Sequence, residues 1–136
     1  MSLTKNFKYK YHQGTRNTDH GSRIYNIAGF KLPSVTTILA KTKDQEYLTK
    51  DQSFLKKWRD KVGHEEAERI KNHSSKRGTS MHKFLEKHIT GEGYEDLTEI
   101  GQQAKPMAEK IIEVGFTPIS YYYGSEVMLH YPGLYA

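Results

Sequence analysis

The sequence predicts an α+β protein, mainly helical, with a small hairpin at its N-terminus and one strand at its C-terminus. Three observations predict it. Period-2 alternation marks residues 6–12 and a Tyr-rich, extended-chain composition the C-terminal end, apolar residues recur at spacings of three and four between them, and a chain of 136 residues suits one domain. Within that domain the hairpin region covers 1–33, the helical region 34–116 and the first core strand 117–136.

Residues 6–12 alternate apolar and polar, as a half-buried strand does. A polar loop is expected over Gln13 to Ser22, then a second strand over Arg23–Ile27 and a turn at Ala28-Gly29. Ser34 is placed to cap a helix, because its hydroxyl can accept from the unpaired amides of the first turn, with Val35, Ile38 and Leu39 on one face. A second helix is expected from about Lys50 to Val62. Phe54, Leu55, Trp58 and Val62 form its inward stripe, and Lys56, Lys57, Arg59 and Lys61 its basic face. Gly63 ends it, and Glu65–Asn72 forms a third helix with acidic residues in its first turn.

Ser74 to Ser80 reads as a break, with a new helix starting near Thr79. Met81, Phe84, Leu85, His88 and Ile89 form its stripe, and Gly91 and Gly93 close it. The next helix spans about Thr98 to Val114, with Leu97, Ile100, Ala104, Met107, Ala108, Ile111 and Val114 inward and a kink expected at Pro106. Ile119 to His130, rich in Tyr, reads as one extended strand with Glu126 in its middle. Such a strand must pair, either with the N-terminal hairpin or with strands outside this chain.

Composition narrows the function classes. Leu, Ile, Val and Phe make up only about a fifth of the chain, which marks a thin core, supplemented by ten Tyr, four Met and one Trp. No apolar run is long enough to span a membrane, and the first residues lack the apolar stretch of a signal peptide. The absence of cysteine excludes disulfides and thiolate metal sites and fits a reducing cytoplasm. A net charge of +5 and a pI near 9.3 favour a polyanionic partner.

Nucleophilic catalysis finds little support. The chain has no cysteine, no Gly-x-Ser-x-Gly elbow and no Walker loop, and Gly91-Glu-Gly93 is no dinucleotide fingerprint. His12, His20, His64, His73 and His88 have no partners at ligand spacing. His82 and Glu86 stand one helical turn apart, either sharing a divalent cation or its water, or simply bonding to each other. Lys76-Arg77-Gly78-Thr79 would hold a phosphate if it opened a helix; otherwise Arg77 is a solvated cation. Glu126, if it faces inward, requires a cationic partner to stay charged.

Taken together, the words are more specific. Arg23-Ile-Tyr-Asn-Ile is followed by Leu32-Pro-Ser-Val-Thr-Thr-Ile-Leu39, Leu55-Lys-Lys-Trp-Arg59 and Gly63-His-Glu-Glu-Ala67. Then come Arg77-Gly-Thr-Ser-Met-His82 with Leu85-Glu86, and Ser125-Glu-Val-Met-Leu-His130. Over nearly all of 23–136 this series resembles the N-terminal half of the RecB-like PD-(D/E)XK exonucleases, in particular phage-type and mitochondrial genome-maintenance exonucleases.

The resemblance implies the helical part of a restriction-endonuclease-like fold and a Mg²⁺- or Mn²⁺-dependent enzyme that hydrolyses DNA in the cytoplasm, for a phage enzyme that of its host. It makes His82 a residue near the metal, Glu126 and Glu86 its acidic companions, and Ser34, Thr36 and Arg77 contacts to DNA and its phosphates, to which the residues themselves add Gly78 and Thr79 beside Arg77 and Lys57 on the basic helix face. In the family, a strand like Leu129–Ala136 leads into a Gly-x-x-Asp segment and then an Asp/Glu-x-Lys pair. Neither follows here, so the expectation is an N-terminal portion that binds DNA without cleaving it and holds no metal by itself. The alternative is a small nucleic-acid-binding or interaction domain without catalysis. A further expectation is self-association through the exposed last strand.

Overall fold

The computed structural model describes the backbone of Thr4–Lys5 and residues 9–136. The fold is α+β: two short paired strands, a three-stranded antiparallel sheet and four α-helices. β1 (Thr4–Lys5) is the first element. The expected strand over 6–12 lies in part outside the described residues, and 9–12 form no strand. Contacts group the chain into two compact units. One is built on Trp58–Glu126, the other on Tyr9–Lys57 with Val127–Ala136.

In the second of these units β2 (Gly14–Asp19), β3 (Ser22–Ile27) and β4 (Phe30–Pro33) form a meander in that order. The hairpin expectation needs correcting here. The stretch assigned to a loop is β2, and it pairs with β3 from Gly14–Ile27 to Asp19–Ser22 through a two-residue turn. His20 and Gly21 both have positive φ, 46° and 77°, and so do Ala28 and Gly29 in the next turn, 51° and 79°. Turns of that hand match the right-handed twist of the strands they join. The polar sequence Gly-Thr-Arg-Asn-Thr-Asp concealed β2, because all six residues are exposed and leave no alternating pattern.

Ile27 and Leu32 are buried and anchor this unit. Ser34 caps α1 (Val35–Thr42), its hydroxyl accepting from the Thr37 N–H at 3.1 Å. The last residue closes against the same corner. Ala136 N–H donates to the Pro33 carbonyl at 3.0 Å, and its carbonyl accepts from Val35 N–H at 2.9 Å.

α2 (Gln45–Val62) begins earlier than its apolar stripe suggests. The Asp44 carboxylate accepts from the Tyr47 N–H at 2.7 Å and starts the helix there. The inward stripe is a second correction, since Phe54 is 71% exposed and Leu55 43%. Trp58 and Val62, at the end of the same stripe, are half-buried.

In the unit built on Trp58–Glu126, α3 runs unbroken from His64 to Thr90, where two helices separated by a break were expected. The Ser-Ser-Lys-Arg-Gly-Thr-Ser stretch is helical, and Gly91 in left-handed geometry provides the stop. Small and polar residues mid-sequence suggested a boundary, but packing against the next helix overrides their low propensity. α4 (Glu99–Lys110) is capped by Thr98, contains Pro106, and passes into a π-turn over Ile111–Gly115.

α3 and α4 pack together through small residues. Ala67, Ser80, Gly101, Ala104 and Ala108 are buried, whereas Leu97 is 80% exposed and Val114 59%. His73 Nε2 meets Gln103 Oε1 at 2.8 Å across the pair. The expected long strand over 119–130 reduces to β5 (Tyr121–Tyr122), parallel to β1, and Glu126 adopts a turn conformation with φ 53°.

Candidate functional site

α3 places His82 on an exposed helical face, one turn beyond Gly78, and the turn after β5 brings Glu126 to it. His82 Nδ1 and Glu126 Oε1 are 3.8 Å apart, with both side chains largely solvated. These two residues belong to the same unit, and they are two of the three that the resemblance places around a metal. A non-glycine residue with positive φ is costly to hold, so the Glu126 carboxylate is presented by a constrained turn rather than by a strand face.

Glu86 does not join the pair. It lies half-buried one turn from His82, and its Oε2 accepts from Lys83 Nζ at 3.1 Å. Among the described residues no group of three His, Asp or Glu side chains stands close enough together to hold a metal ion. Mg²⁺ demands near-octahedral oxygen coordination. One imidazole and one carboxylate therefore do not make a Mg²⁺ site, though they can stand beside one as outer ligands or hold its water.

The expected phosphate contacts divide between the units. Arg77, Gly78 and Thr79 sit in the middle of α3, not at its start, which corrects the helix-N-terminus geometry expected for them. The backbone amides there are committed to the helix, so only side chains remain for a phosphate. Thr79 already donates to the Ser75 carbonyl at 3.0 Å, which leaves the half-buried Arg77 guanidinium as that segment's donor. A Cβ on Gly78 would meet nothing within 4 Å, so the fold itself does not require glycine there.

In the other unit Ser34 is 3% exposed, and its hydroxyl is engaged with Thr36 Oγ1 at 3.0 Å, Thr37 Oγ1 at 2.8 Å and the Thr37 N–H. Its role there is the cap of α1. Thr36 remains exposed, and so does Lys57 on α2.

Sequence reasoning missed Asp96. Its Oδ2 accepts from the Ser80 hydroxyl at 2.6 Å, and its Oδ1 from the Thr98 hydroxyl at 2.6 Å and the Thr98 N–H at 3.1 Å. The Ser80 bond, followed by those from Thr98, holds its carboxyl below the ordinary range, so it is ionised at neutral pH. The available signal was Asp-x-Thr immediately before a helix, a capping pattern. The partner Ser80 was legible only once the two helices were packed.

Comparison with family models, with curated proteins and with solved structures finds no match to this chain. Among the described residues no helix is long and apolar enough to cross a membrane.

Proposed function

We propose that this chain is the DNA-facing, mainly helical part of a divalent-metal-dependent exonuclease of the RecB-like PD-(D/E)XK kind, with a restriction-endonuclease-like fold. The observation that carries the reading is the approach of His82 to Glu126. Two residues singled out by separate words of the sequence, one in a helix and one in a turn, stand side by side. The +5 charge and the Arg77 guanidinium support the DNA partner.

Hydrolysis is not assigned to these residues alone. Cleaving a phosphodiester requires carboxylates that fix Mg²⁺ or Mn²⁺ against the phosphate and a lysine that orients water and offsets charge. The 136 residues contain no Asp/Glu-x-Lys tripeptide. In this reading His82 and Glu126 support the metal's surroundings, and residues outside these 136 hold the metal itself.

Incubating the 136-residue chain with DNA and Mg²⁺ tests the assignment. The expected result is intact DNA. Degradation that disappears in His82→Ala would mean the active site lies within these residues and has been misassigned. A coding sequence continuing as Gly-x-x-Asp and then Asp/Glu-x-Lys would support the reading.

A second reading, an interaction domain without catalysis, is favoured by α2, where Phe54 is 71% exposed beside lysines. A natural stop codon after Ala136 would favour it.

A further inference from the structure

We infer that the groove between α3 and the Tyr94–Ile100 segment is a binding site for a small anion that carries a planar base, of the nucleoside monophosphate class. The groove is open to solvent and has a volume of about 550 Å³, within the size range of small-ligand sites. One wall is a single face of α3, carrying Lys76, Thr79 and Lys83. The other carries Tyr94, Asp96 and Ile100. All of these residues lie in one unit.

The order of charges along the groove selects the ligand. Lys76 and Lys83 are two helical turns apart, about 10 Å along the axis. Asp96 is fixed between them by its bond to Ser80. The pattern is therefore cation, anion, cation. Lys83 is paired with Glu86, whereas among the described residues no ion pair engages Lys76, which leaves its ammonium available to an anion.

The hydroxyls restrict the ligand further. Thr79 donates to the Ser75 carbonyl, and Ser80 and Thr98 both donate to Asp96, so their protons are committed and these hydroxyls can offer a ligand only lone pairs. A bare phosphate would gain the lysine but meet the Asp96 charge and acceptor oxygens. A ligand that places N–H groups toward Asp96, an apolar ring against Tyr94 and Ile100, and an anionic end toward a lysine satisfies all three. A nucleobase with its phosphate has those parts. The inference stands on the groove and not on the nuclease reading.

Titration of the full chain with AMP, adenosine and inorganic phosphate, followed by ¹H–¹⁵N NMR and calorimetry, tests it. AMP is expected to shift the resonances of Lys76, Lys83, Tyr94 and Ile100, and to bind at least tenfold more tightly than adenosine or phosphate. Lys76→Ala and Lys83→Ala should each weaken binding threefold or more with unchanged circular dichroism, and Lys110→Ala should not. AMP binding no tighter than phosphate, shifts confined to other regions, or both lysine variants binding like the parent would overturn the site.

Discussion

His82 Nδ1 stands 3.8 Å from Glu126 Oε1, and the turn that holds Glu126 there has φ 53°, a conformation that favours glycine. Both side chains are more than half exposed, and an exposed pair of this kind contributes little to folding. The relationship therefore has a cost in backbone strain that the exposed imidazole–carboxylate contact itself does not offset.

Glu126→Gly separates the two terms. Relieving a left-handed non-glycine residue is worth about 1 kcal/mol, reduced by the added freedom of the unfolded chain. Urea denaturation is expected to show Glu126→Gly as stable as the parent or slightly more so. A loss of more than about 1 kcal/mol would mean the carboxylate is there to hold the fold.

Gly78 offers an independent check on the α3 segment. Alanine in a helix interior is favoured over glycine by roughly 1 kcal/mol, and a Cβ at Gly78 would meet nothing within 4 Å. Gly78→Ala should raise the melting temperature. If glycine is kept for the close approach of a phosphate backbone, affinity for DNA should fall in the same variant. Unchanged affinity would remove Gly78 from the DNA contacts.

Gly101 should behave in the opposite way. A Cβ there would overlap the backbone carbonyl and the carboxyl group of Asp96, in a buried position on α4. Gly101→Ala is expected to cost about 1–3 kcal/mol in chemical denaturation, the usual penalty of forcing atoms into a packed site. A neutral result would show that the Asp96 turn adjusts freely.

Asp96 also sets a pH dependence. The Ser80 and Thr98 hydroxyls depress its folded pKa below its ordinary value of 3.8. A depressed carboxylate stabilises the fold above its unfolded pKa, and that contribution is lost as pH falls through the folded value. Ser80→Ala should therefore narrow the stability difference between pH 6 and pH 3 and raise the Asp96 titration midpoint measured by NMR. A midpoint that stays in place would assign the depression to Thr98 alone.

The elements legible in the sequence were those whose signals are local. Ser34 was readable as a cap, Ala28-Gly29 as a turn and Gly91 as a stop, because each acts within a few residues. β2 was not, since a fully exposed strand carries no apolar alternation and is held by its ladder to β3. The continuity of α3 through Ser74–Ser80 was hidden for a related reason, as its support comes from α4. Conversely, the stripes of α2 and of Leu97 and Val114 predicted burial that the fold does not provide. Of the candidate site, His82 and Glu126 were named from the sequence, but their approach depends on a turn where a strand was expected. Asp96 lay outside the reading because its partner Ser80 belongs to α3, 16 residues earlier in the chain.

Fluorescence anisotropy of the 136-residue chain with a labelled DNA oligonucleotide, across a salt series and with Arg77→Ala alongside, tests the central claim most directly. The account predicts binding at low salt that falls roughly tenfold or more between about 50 and 200 mM, and that weakens further in Arg77→Ala with a shallower salt slope. No binding at low salt, or binding indifferent to both salt and Arg77, would contradict it.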